Sequence, residues 1–201
     1  GQAHGLTAPL RRRLLAVPGD RLIEVRNRAL LAVAYDGMLR RAELVALQVT
    51  DLLEEMRGDA TLLVRRSKTD GEGYGDMLYL ARDTVRLVRA WLDRSGITDG
   101  RLFRSVGKGG RLGEGLDPSQ VPRILKGMAQ RAGLPAAVVR DLSGHSARVG
   151  AAQDMIAAGI ELPAVLQAGR WKSTAMVNRY GERLLARRSG MAQLARLQRR
   201  D

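Results

Sequence analysis

The stretch SGHSARVGAAQDM, residues 143–155, contains His145, one of only two histidines in the chain, and Arg148 three positions later. Helical spacing predicts a helix from Ser146 to Ala158, with Ser143 as a candidate cap, so both side chains should project from neighbouring positions near its start. The free N–H groups of a helix N-terminus and a guanidinium together form an anion site. An imidazole beside an anion can accept or donate a proton near neutral pH. Taken alone, such a pair is more often a surface histidine and a solvated arginine.

The net charge of the chain is strongly positive. Its 201 residues include 34 lysines and arginines against 21 aspartates and glutamates, which gives +13 at pH 7. Such an excess usually indicates a polyanionic partner, because each phosphate that a protein neutralises releases counterions. The alternative is that biased coding inflates the arginine content and the charge only keeps the protein in solution.

The composition argues against several other classes of protein. Cysteine is absent, which excludes disulfides and thiolate metal sites, and we expect neither a metal nor a cofactor. No apolar run approaches the roughly 20 residues of a membrane span, and no signal peptide is visible. We therefore expect a cytoplasmic protein with no membrane partner.

Helical periodicity dominates the chain and favours an α+β domain that is mostly α-helical. Apolar residues recur at helical spacing from Asp20, a candidate N-cap, to about Gly37. Further helices are predicted at 40–47, 83–95, 118–132, 146–158, 162–168, 174–180 and 183–197.

One β-hairpin interrupts this helical pattern. The β-prone runs TLLVRRSKT (61–69) and DMLYLA (76–81) flank the glycine-rich turn DGEGYG (70–75). The run VTDLLEEM (49–56) is a candidate third strand. The pattern therefore predicts a small antiparallel sheet in a helical domain.

Further reactive side chains stand at helix ends and in the hairpin. Arg40 opens the short second helix, with Glu43 one turn later, and Lys68 lies at the hairpin tip. Trp171 precedes Tyr180 by nine residues. Each has an ordinary explanation on its own, namely an ion pair at a helix start, a solvated lysine, or an aromatic side chain half-buried by packing.

Taken together and in this order, these segments resemble the tyrosine recombinase (phage integrase) family, relatives of the type IB topoisomerases. The segments are LRRAEL (39–44), SKT (67–69), SGHSARVGAAQDM (143–155), LQAGRW (166–171) and NRY (178–180). The resemblance runs from about Asp20 to Leu197 and implies the helical catalytic fold of that family, with its small antiparallel sheet, at residues 20–201. Residues 1–19 are interpreted as the remnant of an interdomain linker, because nothing in the chain corresponds to the N-terminal DNA-clamping domain of the family.

The resemblance implies chemistry at one DNA phosphate. It assigns catalytic positions to Arg40, Glu43, Lys68, His145, Arg148, Trp171 and Tyr180. Tyr180 would be the nucleophile that forms a 3′-phosphotyrosine and frees a 5′-hydroxyl, which conserves the phosphodiester energy for rejoining. Arg40 and Arg148 would clamp the non-bridging oxygens as charge builds in the transition state, with no metal.

The remaining positions would move protons or orient other groups. Lys68 would donate a proton to the leaving 5′-oxygen. His145 would take the tyrosine proton or hold a phosphate oxygen, and Trp171 would donate its indole N–H to the phosphate. Glu43 would orient Arg40 or His145. Many family members have histidine where Trp171 stands, and both side chains are N–H donors.

The implied partner is double-stranded DNA with inverted-repeat sites, bound by a homotetramer that exchanges strands through a Holliday junction. Candidates for contacts with the DNA backbone are Arg65, Arg66, Lys108, Arg111, Arg123, Lys126 and Arg170. Met191, Leu194 and Leu197 recur at i, i+3 and i+6 on a predicted C-terminal helix at about 183–198. The resemblance implies that this helix is exchanged in trans; packing on its own domain is the alternative.

Two other functions stay open at this point. A transposon integrase, a hairpin telomere resolvase or a relaxing topoisomerase would use the same site. A non-catalytic DNA-binding relative would have kept the fold alone, although such relatives usually lose the tyrosine or an arginine. The family implies a bacterial, archaeal or phage context.

Overall fold

The computed structural model describes residues 3–65 and 75–200. Over these residues the chain forms ten α-helices: α1 (Ala8–Leu15), α2 (Leu22–Asp36), α3 (Arg41–Ala46), α4 (Arg82–Ser95), α5 (Gln120–Arg131), α6 (Ala136–Asp141), α7 (Ser146–Ala158), α8 (Leu162–Gly169), α9 (Ala175–Ala186) and α10 (Gly190–Leu197). The same residues form three strands, β1 (Leu52–Glu54), β2 (Ala60–Val64) and β3 (Asp76–Leu80). The predicted fold class, a mostly helical α+β domain, is confirmed.

The sheet is antiparallel with the order β1-β2-β3. Leu62 on the central strand pairs with Leu52 on one side and Leu78 on the other. Alternate residues of β2 are buried, as period-two alternation requires when one face of a sheet covers a core. The predicted hairpin and third strand are therefore present, while the hairpin tip, with Arg66 and Lys68, lies outside the described residues.

Helix α2 forms the centre of the domain. Residues 29–34 (ALLAVA) are all buried, so this part of the helix is enclosed on every side. It packs against α4 on one side and α7 on another. Its C-terminal end leads through Gly37 and Met38 into α3, which places the start of α3 beside α7.

Helix α7 is packed closely by the segment that leads into α1 and includes its first residue, here called the N-terminal strap (residues 3–8). The amide of Leu6 donates to the carbonyl of Ser146 at 2.8 Å, and the amide of Ala8 donates to Asp154 Oδ2 at 2.7 Å. A Cβ built on Gly150 would overlap the Leu6 carbonyl and lie 2.7 Å from the amide nitrogen of Thr7, so only glycine fits there. The strap therefore lies directly on the helix that carries Arg148.

The structure modifies the interpretation of residues 1–19 as a linker. Residues 8–15 form helix α1, and Leu6 and Leu14 are fully buried in the core. This part of the chain is folded onto the domain, whereas its role in joining two domains stays a prediction. Helix α6, of six residues, was also missed by the sequence analysis.

The helix boundaries differ from prediction at two further places. Helix α2 begins after Arg21, whose amide donates to Glu24 Oε2, so Asp20 is not the cap. The predicted break between residues 180 and 183 is wrong, because Gly181 lies inside α9 and packs against Ile156. The chain instead breaks at 187–189, and the C-terminal helix is α10, shorter than the predicted 183–198. No helix in the described ranges is long and apolar enough to cross a membrane.

Candidate active site

The start of α3 holds the first arginine and carboxylate of the site. The amide and the guanidinium of Arg40 both donate to Glu43, each at 2.9 Å, one to each carboxylate oxygen. Glu43 is buried, whereas Arg40 is partly exposed. The carboxylate thus satisfies a free amide of the helix N-terminus and fixes the arginine side chain at the same time.

Arg148 on α7 is held by carbonyl groups of two other segments. Its guanidinium donates to Met38 O at 2.7 Å and to Gly169 O at 2.5 Å, and the side chain is only 3% exposed. Its Cζ lies 4.8 Å from the ring centroid of Trp171, within the range of a cation–π contact. Burial, followed by the charges of Arg40 and Arg170, lowers the pKa of Arg148 to about 10, so the guanidinium remains charged at pH 7.

Arg170, a candidate DNA-backbone contact in the sequence analysis, joins this cluster. It follows α8 and is buried, and its guanidinium donates to Glu43 Oε2 at 2.7 Å. Burial alone would raise the pKa of Glu43, but hydrogen bonding from Arg40 and the charge of Arg170 outweigh burial and lower it. Three guanidiniums therefore surround one ionised carboxylate, which leaves an excess of positive charge.

His145 stands at the entrance of α7, immediately before its first residue. Its amide donates to Ser143 Oγ at 3.1 Å, so Ser143 caps the turn before the helix and not the helix itself. Burial, followed by the charges of Arg148, Arg41 and Arg40, lowers the pKa of His145. The imidazole is therefore neutral at pH 7 and able to accept a proton.

Tyr180 faces the same region from α9. A cleft of about 660 Å³ is lined by Tyr180 together with His145 and Ser143. The tyrosine ring lies 5.8 Å from the ring of Trp171, centroid to centroid, with the planes inclined by 52°. Trp171 thus lies between Arg148 and Tyr180 and connects the arginine cluster to the tyrosine.

Six of the seven predicted catalytic residues therefore lie in one region, built from α3, α7, the end of α8 and α9. The seventh, Lys68, lies outside the described residues. The region also contains groups that the sequence analysis missed. Arg140 and Arg179 line the cleft; Arg179 directly precedes Tyr180, which could have drawn attention to it, whereas Arg140 belongs to the unpredicted α6. The acceptor role of the Met38 carbonyl leaves no signal in the sequence.

The other described candidates for DNA contacts are exposed or partly exposed. Lys108, Arg111 and Arg123 are exposed. Arg65 is mostly exposed but pairs with Asp51 at 2.5 Å, and Lys126 donates to a backbone carbonyl at 2.9 Å. Within the described ranges, no group of three or more histidine, aspartate or glutamate side chains is placed to hold a metal ion.

The fold is that of a tyrosine recombinase catalytic domain. The chain belongs to the phage integrase family, whose model matches residues 6–185, and this confirms the resemblance inferred from the motifs. It is 32% identical over 193 residues to recombinase cre of Escherichia phage P1, covering 90% of this chain and 56% of that protein. It is 30% identical over 170 residues to an integrase/recombinase xerD homolog of Selenomonas ruminantium, covering 81% and 49%. The chain thus spans about half the length of the curated relatives it matches.

Solved structures agree with the fold. The XerH site-specific recombinase bound to a palindromic difH substrate, in a post-cleavage complex, superposes with a TM-score of 0.74 at 18% identity, covering 96% of this chain and 53% of that one. The XerA recombinase gives a TM-score of 0.68 at 19% identity, covering 90% and 60%. At such identities the likeness establishes the fold and leaves the chemistry to be argued from the site.

Proposed function

We propose that this chain is the catalytic domain of a site-specific DNA recombinase that breaks and rejoins strands through a 3′-phosphotyrosine on Tyr180. The observation that carries the proposal is the continuous series of contacts from Glu43 through the arginine cluster and Trp171 to Tyr180. An excess of positive charge next to a phenol suits an anionic phosphodiester that the phenol oxygen attacks. The net charge of +13 further supports DNA as the partner.

In the proposed reaction the Tyr180 oxygen bonds to phosphorus, and the bond from phosphorus to the 5′-oxygen breaks. Neutral His145, in the same cleft, accepts the tyrosine proton, and Lys68 supplies a proton to the leaving 5′-oxygen. Arg40 and Arg148 hold the non-bridging oxygens as the transition state gains charge. Since the donors are fixed before the phosphate arrives, little reorganisation is needed during the reaction.

Trp171 and Glu43 complete the proposed set. The indole N–H of Trp171 would donate to a phosphate oxygen, and the indole ring supports Arg148 through the cation–π contact. Glu43 orients Arg40 through two hydrogen bonds and does not contact the DNA. Removing one prearranged donor of this kind costs roughly 10²–10³ in rate.

The proposed substrate is double-stranded DNA with inverted repeats, processed by a homotetramer through a Holliday junction. The XerH relative is bound to a palindromic substrate, which supports inverted repeats here. Arg65, Arg66, Lys108, Arg111, Arg123 and Lys126 remain candidates for backbone contacts. We place the activity in the cytoplasm. We also propose that residues 1–19 connect the catalytic domain at 20–201 to a DNA-clamping domain, for which the greater length of the relatives leaves room.

We further propose that α10 docks on a neighbouring protomer. Met191, Leu194 and Leu197 are 66%, 41% and 83% exposed, and none of the residues of α10 is buried. This exposure disfavours the alternative in which the helix packs on its own domain. A row of apolar side chains at helical spacing fits a groove on a second copy of the chain.

Covalent capture on DNA tests the proposed reaction. A library of random-sequence duplexes, each with a nick near its centre, is incubated with the protein, and adducts that survive denaturation are isolated and sequenced. We expect adducts from the wild type and none from Tyr180→Phe. The matched control is Tyr79→Phe, at a mostly exposed tyrosine on β3, which should react normally. An adduct with Tyr180→Phe would refute the nucleophile assignment.

The recovered DNA and the products distinguish the other functions. Inverted repeats around a short spacer would indicate a recombinase, whereas hairpin ends would indicate a telomere resolvase. Retention of DNA without any adduct, under conditions in which the wild type is folded, would indicate a non-catalytic DNA-binding relative.

A further inference from the structure

Arg170 occupies a backbone position that ordinarily favours glycine. Helix α8 ends in a Schellman motif: the amide of Trp171 donates to Leu166 O at 2.9 Å, and that of Arg170 donates to Gln167 O at 3.1 Å. This motif requires a left-handed residue, and Arg170 has φ 54°. An arginine here meets a steric cost that glycine would avoid, which suggests that its side chain compensates for the cost.

The side chain of Arg170 is directed into the protein. It is only 5% exposed, and its guanidinium lies 2.7 Å from Glu43 Oε2 and 3.4 Å from Met38 O. Its Nε and Nη1 are buried without a hydrogen-bond partner among the described residues. Burying an arginine with unused donors is unfavourable unless its charge is needed at that place.

The charge of Arg170 is needed because of Glu43. Without Arg170, the buried Glu43 carboxylate would be paired by Arg40 alone, and its uncompensated charge would lie close to Arg148. A carboxylate in that state competes with a phosphate for the same guanidiniums and repels the anion. With Arg170 present, one carboxylate oxygen is occupied by Arg170 and the other by Arg40.

We propose that Arg170 is a positioning residue, which neutralises and fixes the Glu43 carboxylate so that Arg40 and Arg148 stay available to a phosphate. This inference rests on the proposed function and deepens it. It also accounts for the burial of Arg170.

The charged groups that surround Glu43 are known from the described residues. Arg40 faces it from its own helix, Arg148 belongs to α7, and Arg170 follows α8. A neighbouring cavity of about 380 Å³ is lined by Glu43 together with Asp51, Arg65 and Arg101. Arg65 pairs with Asp51 and Arg101 donates to Ala46 O, so among the described cations near Glu43 that are not assigned to the phosphate, Arg170 is the one that pairs with it.

A double-mutant cycle tests the coupling. Arg170→Gly suits the left-handed backbone, so the variant should fold. We expect Arg170→Gly and Glu43→Gln each to slow adduct formation about 10²-fold. The first leaves Glu43 with Arg40 as its partner and the second leaves the buried charge of Arg170 unpaired, so that the arginines are displaced. The double variant removes both charges and should also be slowed about 10²-fold, whereas independent effects would multiply to about 10⁴-fold. Multiplication of the two effects would overturn the proposal. Arg170→Lys, which keeps the charge, should recover activity to within about 10-fold of the wild type.

The titration of Glu43 provides a readout that does not depend on activity. The pKa of Glu43 can be followed by NMR in protein labelled at the glutamate carboxyl carbons, with the Glu43 signal assigned by its loss in Glu43→Gln. Arg170→Gly should raise this pKa, because the effect of burial is then opposed only by Arg40. The adduct rate of Arg170→Gly should accordingly recover as the pH is lowered, relative to the wild type. An unchanged Glu43 titration would overturn the proposal, even if adduct formation falls. If the wild type forms no adduct at all, the proposed function fails, while the Glu43 titration still decides whether Arg170 controls this carboxylate.

Discussion

Replacing Gly150 in α7 with alanine should destabilise the protein strongly. The new Cβ would overlap the Leu6 carbonyl and lie 2.7 Å from the amide nitrogen of Thr7. Both contacts are with backbone atoms, so no side-chain rotation relieves them, and the N-terminal strap has to move away from the helix.

The cost follows from what the strap contributes. Moving it exposes Leu6, which is fully buried, and breaks the 2.8 Å hydrogen bond from its amide to Ser146. Losing a buried leucine costs about 2–5 kcal/mol, and losing a hydrogen bond costs about 1 kcal/mol. We therefore expect Gly150→Ala to reduce the free energy of unfolding by about 4 kcal/mol, a fall in Tm of about 8–16 °C for a chain of this size.

Urea and thermal denaturation followed by circular dichroism provide the measurement. The matched control is Gly127→Ala in α5, where a new Cβ has no atom within 4 Å. That variant should gain about 0.5–1 kcal/mol, because alanine is the better helix former. A Tm for Gly150→Ala within about 2 °C of the wild type would refute the packing of the strap on α7.

Three further outcomes are expected. Asp154→Ala should lower the free energy of unfolding, measured by urea denaturation, by about 2 kcal/mol, because Asp154 accepts hydrogen bonds from the amide of Ala8 and the hydroxyl of Tyr35. An unchanged free energy of unfolding would contradict a stabilising role for these two hydrogen bonds. Because the pKa of His145 is lowered in the folded state, the unfolded chain binds more protons than the folded chain once the pH falls below about 6.5. The free energy of unfolding should therefore decrease as the pH is lowered through this range, and it should decrease less in His145→Gln. Thermal denaturation between pH 5 and 7.5 measures both. Arg148→Lys should slow adduct formation by about 10²-fold or more, because one ammonium group cannot reproduce the two hydrogen bonds to carbonyl groups and the stacking of the guanidinium on Trp171. A near-normal rate of adduct formation would exclude a role for these contacts.

Much of the fold could be predicted from periodicity. The amphipathic α4 and α5 lie close to their predicted bounds, and the β-prone runs on either side of a glycine-rich turn located β2 and β3. Elements that depend on tertiary packing could not be predicted in this way. Helix α1 follows a segment rich in glycine and is held by burial of Leu6 and Leu14, and Gly181 interrupts nothing because α9 needs a small residue against Ile156.

The sequence predicted which residues form the candidate site, but not the contacts that join them. The order of motifs located six side chains that the structure gathers together. The link from Arg148 to the Met38 carbonyl depends on a backbone group, which no residue type encodes. The burial of Arg170 was equally hidden, since an arginine in a basic chain is first expected at the surface.

The unbroken course of α9 has a consequence for assembly. Tyr180 sits in the middle of a helix that continues to Ala186, and the chain changes direction only at 187–189. In the proposed docking of α10 on a neighbouring protomer, rotation of the backbone in those few residues would redirect α10, while the phenol would keep its place beside Trp171. The proposed docking and the proposed alignment of Tyr180 with a phosphate would then be mechanically separable.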